Sequence, residues 1–254
     1  MIEIKNIHKG FDGEEILKGI DFVFETGVTN LIIGQSGSGK SVLLKTMLGL
    51  FKPEEGSIEY DGKAYSSFTD EEQRELRTEV GMLFQGGALF DSMTVEENVM
   101  FPLRMFTNQR KREMKSRVAE VLKRVNLEGS ENKYPSEISG GMQKRVAIAR
   151  AIVNKPKYLF CDEPNSGLDP TTATVIDKLI QELTVENNIT TVVITHDMNS
   201  VLEIGENIAF LKDGLLAWKG DKSQIFQTDD ETVTDFVYSS NLFKKVRDAQ
   251  LKGH

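Results

Sequence analysis

One stretch determines the fold class of this sequence: Gly34-Gln35-Ser36-Gly37-Ser38-Gly39-Lys40-Ser41. It matches the pattern G-x-x-x-x-G-K-S in full, and it lies between a short apolar run, Thr29–Ile33, and a helical pattern over Ser41–Leu50. Glycines let a backbone curl so that successive N–H groups face phosphate oxygens, and the positive end of the following helix favours the same anion. The stretch therefore predicts a strand, a phosphate-binding loop and a helix, with nucleotide contacts from Gly34 to Val42.

Two side chains of this loop carry chemistry. Lys40 is expected to reach the β- and γ-phosphates of a bound nucleotide, and the Ser41 hydroxyl is expected to bind Mg²⁺. The other interpretation is a glycine-rich turn that binds nothing. The strand before it and the helix after it favour the phosphate loop.

An acidic pair, Asp162-Glu163, ends the apolar run Tyr158–Cys161. A carboxylate there lies at the carboxyl edge of the sheet, where ligands of such folds bind. Asp162 is expected to hold Mg²⁺ through water, because Mg²⁺ dehydrates reluctantly. Glu163 is expected to act as the general base on the attacking water. On its own the pair would indicate only an acidic turn, and the complete loop makes that interpretation the weaker one.

The remaining patterns predict a sheet covered by helices. The apolar runs Tyr158–Cys161 and Thr190–Ile194 flank a helix at 171–183, which suits a parallel sheet with both faces buried. Strand patterns at 2–4, 20–24 and 56–62 open the chain. A helical, more charged pattern from Thr94 to about Ala151 indicates an insertion in this core. The final residues, 227–254, are a polar extension that carries five apolar residues: Phe236, Val237, Leu242, Phe243 and Val246.

Composition narrows the class of protein. The chain has 254 residues, a net charge of -8 and one cysteine, Cys161. The acidic balance argues against nucleic acid as a partner. No apolar run approaches the roughly 18 residues of a membrane helix, and Met1–Lys5 lacks the start of a secretory signal. The single cysteine fits a reducing compartment, so the chain is expected in the cytoplasm.

A second glycine-rich helix start lies at Ser139-Gly140-Gly141-Met142, ahead of a helical run to Ala151. Ser139 is a suitable N-cap, and the glycines allow a phosphate to approach closely. An ordinary capped helix explains the segment equally well on its own. If it does contact a phosphate, the chain has two such contacts, which hints at an ATP site shared between two copies.

Together these motifs resemble the ATP-binding subunits of ABC transporters over about residues 1–225. The resemblance implies that Phe11 stacks on adenine and that Gln85 contacts Mg²⁺ and the attacking water. It implies that Ser139-Gly140-Gly141-Met142 reaches the γ-phosphate on the opposite subunit. It also implies that Ser166-Gly167-Leu168-Asp169 links the two sites, with Asp169 among the nucleotide contacts, and that His196 contacts the γ-phosphate.

The resemblance also implies the architecture and the reaction. The fold is expected to be α/β, a P-loop NTPase core with a mostly parallel sheet, an N-terminal antiparallel β subdomain and an inserted helical subdomain. The ATPase domain is expected over residues 1–226, with the helical subdomain at about 92–152. Its activity is expected to be ATP hydrolysis with Mg²⁺. Two residues depart from the family pattern: Met142 stands where most members have glutamine, and Phe11 stands where most have tyrosine.

Two segments, Gln85–Val95 and Ser139–Met142, look like the ATPase subunit of phospholipid transporters that maintain outer-membrane lipid asymmetry. This resemblance implies a second copy of the chain, a membrane permease that inserts a cytoplasmic helix near residues 85–99, and an MCE-domain lipid-binding protein. Some relatives also bind a STAS-domain protein. The chain is then expected on the cytoplasmic face of the inner membrane of a diderm bacterium.

Other interpretations stay open at this point. The chain could serve an importer of amino acids or another small solute, act as a non-transport ABC protein, or sense nucleotide without turnover. The basic stretch Arg110–Lys115 could face anionic lipid, although a solvated helix face explains it better. The C-terminal extension could pack on a neighbouring subunit, form a local helix on its own core, or be disordered.

Overall fold

The structure, a computed structural model, describes residues 1–238 and contains two sheets and eight α-helices within them. The strands are β1 (Ile2–Phe11), β2 (Glu14–Phe24), β3 (Thr29–Ile33), β4 (Glu55–Tyr60), β5 (Lys63–Ala64), β6 (Val80–Leu83), β7 (Tyr158–Asp162), β8 (Thr190–Thr195), β9 (Asn207–Lys212) and β10 (Leu215–Gly220). The helices are α1 (Lys40–Met47), α2 (Asp70–Glu79), α3 (Val95–Phe106), α4 (Lys111–Arg124), α5 (Gly140–Ile152), α6 (Pro170–Asn187), α7 (Met198–Ile204) and α8 (Glu231–Val237). None of these helices is long and apolar enough to cross a membrane.

The larger sheet has the strand order β10-β9-β3-β8-β7-β6, and only β10 runs antiparallel to its neighbour. Strands β3, β7 and β8 at its centre are buried on both faces, because their side chains alternate between two hydrophobic clusters. Ile32 and Phe160 face the cluster that includes α1 and the smaller sheet, whereas Leu31 and Leu159 face the cluster that includes α3 to α8. The predicted parallel sheet with both faces covered is confirmed.

The smaller sheet is antiparallel, with the order β2-β1-β4-β5. Asp61 and Gly62 connect β4 to β5 with φ angles of 49° and 81°. Two positive φ values in a two-residue loop are the signature of a type I′ hairpin turn, which an Asp-Gly pair favours. The first strand extends to Phe11, well beyond the alternating residues 2–4, because it pairs with both β2 and β4.

The first helix ends three residues earlier than the sequence pattern predicts. Gly49 takes a φ of 71° after Leu48, its N–H bonds to the Thr46 carbonyl, and the Leu50 N–H bonds to the Lys45 carbonyl. These two bonds form a Schellman motif, which ends a helix at a left-handed glycine. Because apolar residues flank Gly49, the helical pattern continued through it, and the glycine was not recognised as the end of the helix.

The helical insertion lies between β6 and β7 and contains α3, α4 and α5. Thr94 begins α3 with a capping box to Glu97. Helix α4 buries one apolar face, with Val118, Val121 and Leu122 in the core.

The part of the C-terminal extension that the structure describes packs on its own chain. Val233, Phe236 and Val237 of α8 and the following Tyr238 join the cluster that covers the larger sheet, and Phe236 lies 4.9 Å from the Phe210 ring. This arrangement fits the local-helix alternative for residues 231–238. The other apolar residues of the extension, Leu242, Phe243 and Val246, lie outside the described residues.

Candidate functional site

A cleft of about 750 Å³ opens at the carboxyl ends of the parallel strands. Four neighbouring strands supply its polar residues: the loop with Gln35 and Ser36 follows β3, Gln85 follows β6, Asp162 ends β7 and His196 follows β8. Side-by-side parallel strands bring residues that are far apart in sequence to one edge of the sheet. The cleft is lined by Phe11, Ile16, Gln35, Ser36, Gly37, Gly39, Lys40, Ser41, Val42, Gln85, Asp162, Glu163, His196 and Phe236.

The phosphate loop needs glycine at its first position. Gly34 has a φ of 150°, and a Cβ there would lie 2.2 Å from the Leu211 carbonyl oxygen and 2.7 Å from Ser38 Oγ. Helix α1 then begins at Lys40 with Gly39 as N-cap, no side-chain cap and no acidic residue in its first turn. Its first N–H groups are therefore free to bind an anion.

Two side chains inside the loop suit a phosphate ligand. Lys40 Nζ donates to the carbonyl oxygens of Gly34 and Gln35, at 2.8 Å each, so the ammonium is held within the loop. Burial lowers the pKa of Lys40, while the charges of Glu163 and Asp162 oppose that shift. Ser38 Oγ is buried with no hydrogen-bond partner in the described part of the chain. A buried hydroxyl without a partner is unfavourable, so this one is suited to a polar ligand atom.

The acidic pair lies opposite the loop. Glu163 Oε1 and His196 Nδ1 are 2.8 Å apart and share a hydrogen bond. The Glu163 side chain is 14% exposed and that of His196 is 67% exposed, so the carboxylate is largely shielded from solvent while the ring faces it. The arrangement places a proton acceptor at the carboxyl edge of the sheet, oriented by a second titratable group.

The donor chemistry of the cleft fits Mg²⁺. Ser41, Gln85 and Asp162 all line it and offer a hydroxyl, an amide oxygen and a carboxylate, which are the hard oxygen ligands that Mg²⁺ prefers. Burial raises the pKa of the Asp162 carboxyl, and the charge of Glu163 adds to that shift. Residues 1–238 contain no group of three or more His, Cys, Asp or Glu side chains arranged for a metal ion. The donor set therefore suits an ion held jointly by the protein and by phosphate oxygens.

Phe11 lies at the outer end of the cleft, at the end of β1. Its ring meets Phe51 edge to face at 5.1 Å, and Lys9 Nζ lies 4.9 Å from its centroid. The ring remains 40% exposed, so a flat apolar group can stack on it.

The structure keeps the second glycine-rich segment apart from this cleft. Ser139 caps α5, its Oγ accepting from the Met142 N–H at 3.3 Å, and none of the residues 139–142 lines the cleft. Gly140 instead borders a separate pocket of about 420 Å³ with Gln85 and Leu168. Asp169 also lies outside the cleft and caps α6 by accepting from the Thr172 N–H at 3.0 Å. Within one chain, the two predicted groups of phosphate contacts do not meet.

Two cleft residues escaped the sequence interpretation. Ile16 comes from β2, and Phe236 comes from α8, the last helix of the described residues. Ile16 could have been found from its place in the strand after Phe11. No local signal marks Phe236, because its position depends on how α8 folds back onto the sheet.

Comparison with known proteins gives consistent matches. A family model described as ABC transporter matches residues 17–166. A probable ribonucleotide transport ATP-binding protein of Mycobacterium leprae is 38% identical over 236 residues, covering 93% of this chain and 68% of that protein. A methionine import ATP-binding protein of Clostridium tetani is 41% identical over 226 residues, covering 89% of this chain and 71% of that protein.

A solved structure matches the fold as well. An ATP-binding cassette, described as a dimer in a post-hydrolysis state bound to ADP and Pi, superposes with a TM-score of 0.78 at 35% identity. The match covers 87% of this chain and 99% of that chain. The predicted α/β architecture, with its mostly parallel core, antiparallel sheet and inserted helices, is confirmed.

Proposed function

The chain belongs to the ABC transporter family, and we propose that it is the ATP-hydrolysing subunit that powers a membrane permease. As a member of this family it is an ABC-type ATPase. The observation that carries the proposal is a single cleft that joins the Lys40 loop to the hydrogen-bonded pair Glu163 and His196. An ATPase needs these two parts in one place, a phosphate cradle and a positioned base.

The residues of the cleft divide the work between binding and hydrolysis. Phe11 stacks on the adenine, and Lys40 with the first N–H groups of α1 binds the phosphates. Glu163 accepts the proton of the attacking water, and His196 orients Glu163 and contacts the γ-phosphate. Mg²⁺ held by Ser41, Gln85 and Asp162 would neutralise the charge that develops on the phosphate oxygens.

Two copies of the chain complete each site in this proposal. The segment Ser139–Met142 lies outside its own chain's cleft with Ser139 and Gly140 exposed, and its capped helix start suits an anion. A head-to-tail dimer places that segment against the γ-phosphate held by the other copy. The dimeric state of the matched cassette supports this arrangement.

The permease is proposed to bind an apolar groove of about 390 Å³ beside the Gln85 segment. Four phenylalanines, Phe84, Phe90, Phe101 and Phe106, line it together with Pro102. Three of these rings are more than a third exposed. Exposed aromatic residues clustered in a groove are typical of a helix-binding surface. The chain then works on the cytoplasmic face of the inner membrane, where the permease presents a helix.

Phospholipid is the proposed cargo. The support is the resemblance of Gln85–Val95 and of Ser139–Met142, with methionine at position 142, to the lipid-transport group. An MCE-domain protein is the proposed partner for this cargo, and a STAS-domain protein is a candidate for a further subunit. The alternative is an importer of a small solute, and the ribonucleotide and methionine names of the relatives favour it.

Copurification separates the two cargoes. The tagged chain, expressed at its native level, is isolated from detergent-solubilised membranes and its partners are identified by mass spectrometry. Recovery of a permease with an MCE-domain protein supports lipid transport. Recovery of a permease with a solute-binding protein overturns the lipid proposal and leaves the transport ATPase intact. Recovery of no membrane protein contradicts the proposal that this chain binds a permease.

A further inference from the structure

The loop of residues 85–88, called here the Gln85 loop, is held from one side by two cations of α5. The Lys144 ammonium donates to the carbonyl oxygen of Gln85. The Arg150 guanidinium donates to the carbonyl oxygens of Gly87 at 2.7 Å and Ala88 at 2.6 Å. Three of the four carbonyl groups of the loop therefore bond to side chains of a single helix.

Both cations are buried, with 6% of Lys144 and 8% of Arg150 exposed. Neither lies within 4 Å of a carboxylate oxygen in residues 1–238. Burial lowers the pKa of each group. A buried charge without an ion pair is costly unless it is hydrogen-bonded, so these two charges depend on the loop carbonyls for their stability.

The loop in turn depends on the cations. Gly87 has a φ of 74° and Ala88 a φ of 47°, so the chain makes two consecutive left-handed steps there. A non-glycine residue in this region stays there only when its surroundings hold it. The two hydrogen bonds of Arg150 lie at these two residues.

Another cation of α5 shows that the arrangement is specific. Arg145 follows Lys144 directly, but its guanidinium bonds to the carbonyl oxygens of Val125 and Asn126, at the end of α4. It ties α5 to the end of α4, and none of its hydrogen bonds goes to the Gln85 loop. Arg145 therefore serves as a matched control.

We propose that Lys144 and Arg150 are positioning residues that clamp the Gln85 loop onto α5, so that Gln85 and the Ser139 end of that helix move as one unit. The clamp rests on the proposed function in one respect, the role of Gln85 in hydrolysis. Lys144 and Arg150 would couple Gln85 of one site to the helix start that serves the other site. A shift of α5 then moves Gln85 relative to Glu163.

A spin label at position 86 tests the clamp without relying on activity. A Cβ at Gly86 would meet no atom within 4 Å, and the native Cys161 is fully buried, so a labelled Gly86→Cys chain reports on the loop alone. Lys144→Met and Arg150→Met are expected to increase the mobility of the label. Arg145→Met is expected to leave it unchanged. Equal mobility in all four proteins, or an equal increase with Arg145→Met, overturns the clamp.

Kinetics then show whether the clamp acts through Gln85. Lys144→Met is expected to lower kcat about tenfold or more with little change in KM, because small misplacements of catalytic groups have large effects. Lys144→Arg is expected to restore most of the rate. In a Gln85→Ala background, Lys144→Met is expected to cause no further loss. An undiminished loss in that background overturns the link to Gln85.

Failure of the proposed function and failure of the clamp give different results. Normal turnover in Gln85→Ala would contradict the catalytic role of Gln85, whereas the spin label still decides whether the clamp exists.

Lys144→Gln retains a neutral donor and is the second variant if Lys144→Met does not fold. It is expected to give label mobility between those of the wild type and of Arg150→Met, and wild-type mobility counts against a need for the charge.

Discussion

Glu163 and His196 come from neighbouring strands, and their pairing depends on backbone geometry at both strand ends. Glu163 has a φ of 48°, and its N–H bonds to the Ile194 carbonyl oxygen at 3.0 Å. This turn directs the carboxylate away from the sheet and toward the residue that follows β8. A left-handed non-glycine residue is uncommon and often marks a functional site.

Glu163→Gln tests the general base at this position. The amide keeps the shape of the side chain but cannot accept the proton, so kcat is expected to fall by about 10²–10⁴-fold while ATP affinity is retained. The measurement is steady-state ATPase activity of the permease-bound protein, with ATP affinity from a fluorescent analogue. Glu71→Gln, an exposed change in α2, serves as the control. Near-normal turnover in Glu163→Gln contradicts the assignment.

At the residue scale, the sequence predicted the cleft where chemistry demands particular residue types. The phosphate loop and Asp162 carry local patterns, whereas Gln85 and His196 were expected from the family resemblance, and all of them lie at one edge of the sheet. Lys144 and Phe236 carry no such pattern. From the sequence, Lys144 is indistinguishable from a solvent-exposed lysine on a helix, because its burial depends on a loop almost sixty residues away.

Helix α5 carries the Ser139 segment at its exposed N-terminal end, which is the part of the chain proposed to meet the other copy. Ser139→Arg adds a long cation where the helix start would meet the other copy. It is expected to abolish turnover and ATP-dependent dimerisation while ATP binding by the single chain changes by less than about threefold, since Ser139 does not line its own cleft.

Light scattering in the Glu163→Gln background measures the dimer directly. Ser136→Arg is the control, because Ser136 is also exposed and precedes Ser139 by three residues. A Ser139→Arg chain that dimerises with ATP, or hydrolyses it at the normal rate, would show that each site is complete within one copy.

A polar cluster that includes the buried Asp177 and Ser200 connects three elements near Glu163. Asn165 Nδ2 donates to Asp177 Oδ1 at 2.8 Å and to Ser200 Oγ at 3.0 Å, which joins the loop after Glu163 to α6 and α7. Burial raises the pKa of Asp177 to about 6, hydrogen bonds from Ser200 and Asn165 oppose the shift, and the charges of Asp197 and Glu203 add to it.

The raised pKa gives a prediction for stability. Between about pH 4 and pH 6 the folded chain binds more protons at Asp177 than the unfolded chain, so this group lowers the free energy of unfolding as pH rises. Asp177→Asn removes the effect and is expected to gain up to about 3 kcal/mol relative to wild type between pH 4 and pH 7. Urea unfolding at both pH values measures the gain. A pH-independent difference contradicts the assignment.

Hydrophobic periodicity predicted the layers of the fold but not the order of the strands within the larger sheet. The apolar runs identified strands with two buried faces, yet the spatial order β9-β3-β8-β7-β6 depends on which strands pair across long separations. The end of α1 was misplaced because packing and a glycine cap, not the apolar pattern, determine where it stops.

The aromatic groove is the feature through which the whole molecule would transmit ATP turnover to a membrane partner. Phe106 lies at the end of α3 and is 47% exposed. Phe106→Glu places a charge where an apolar helix would dock, and its desolvation is expected to weaken permease binding by about tenfold or more. ATP binding by the single chain is expected to stay unchanged, because Phe106 lines the groove and not the cleft.

The measurement is the amount of permease that copurifies with each variant and the ATPase activity of the recovered complex. Val185→Glu is the matched control, since Val185 is 59% exposed on α6 and lies outside the groove. If both variants retain the permease equally, the groove is not its binding site. If only Phe106→Glu loses the permease while its ATP affinity is normal, the groove separates coupling from catalysis, because the same chain still binds nucleotide but no longer engages the membrane partner.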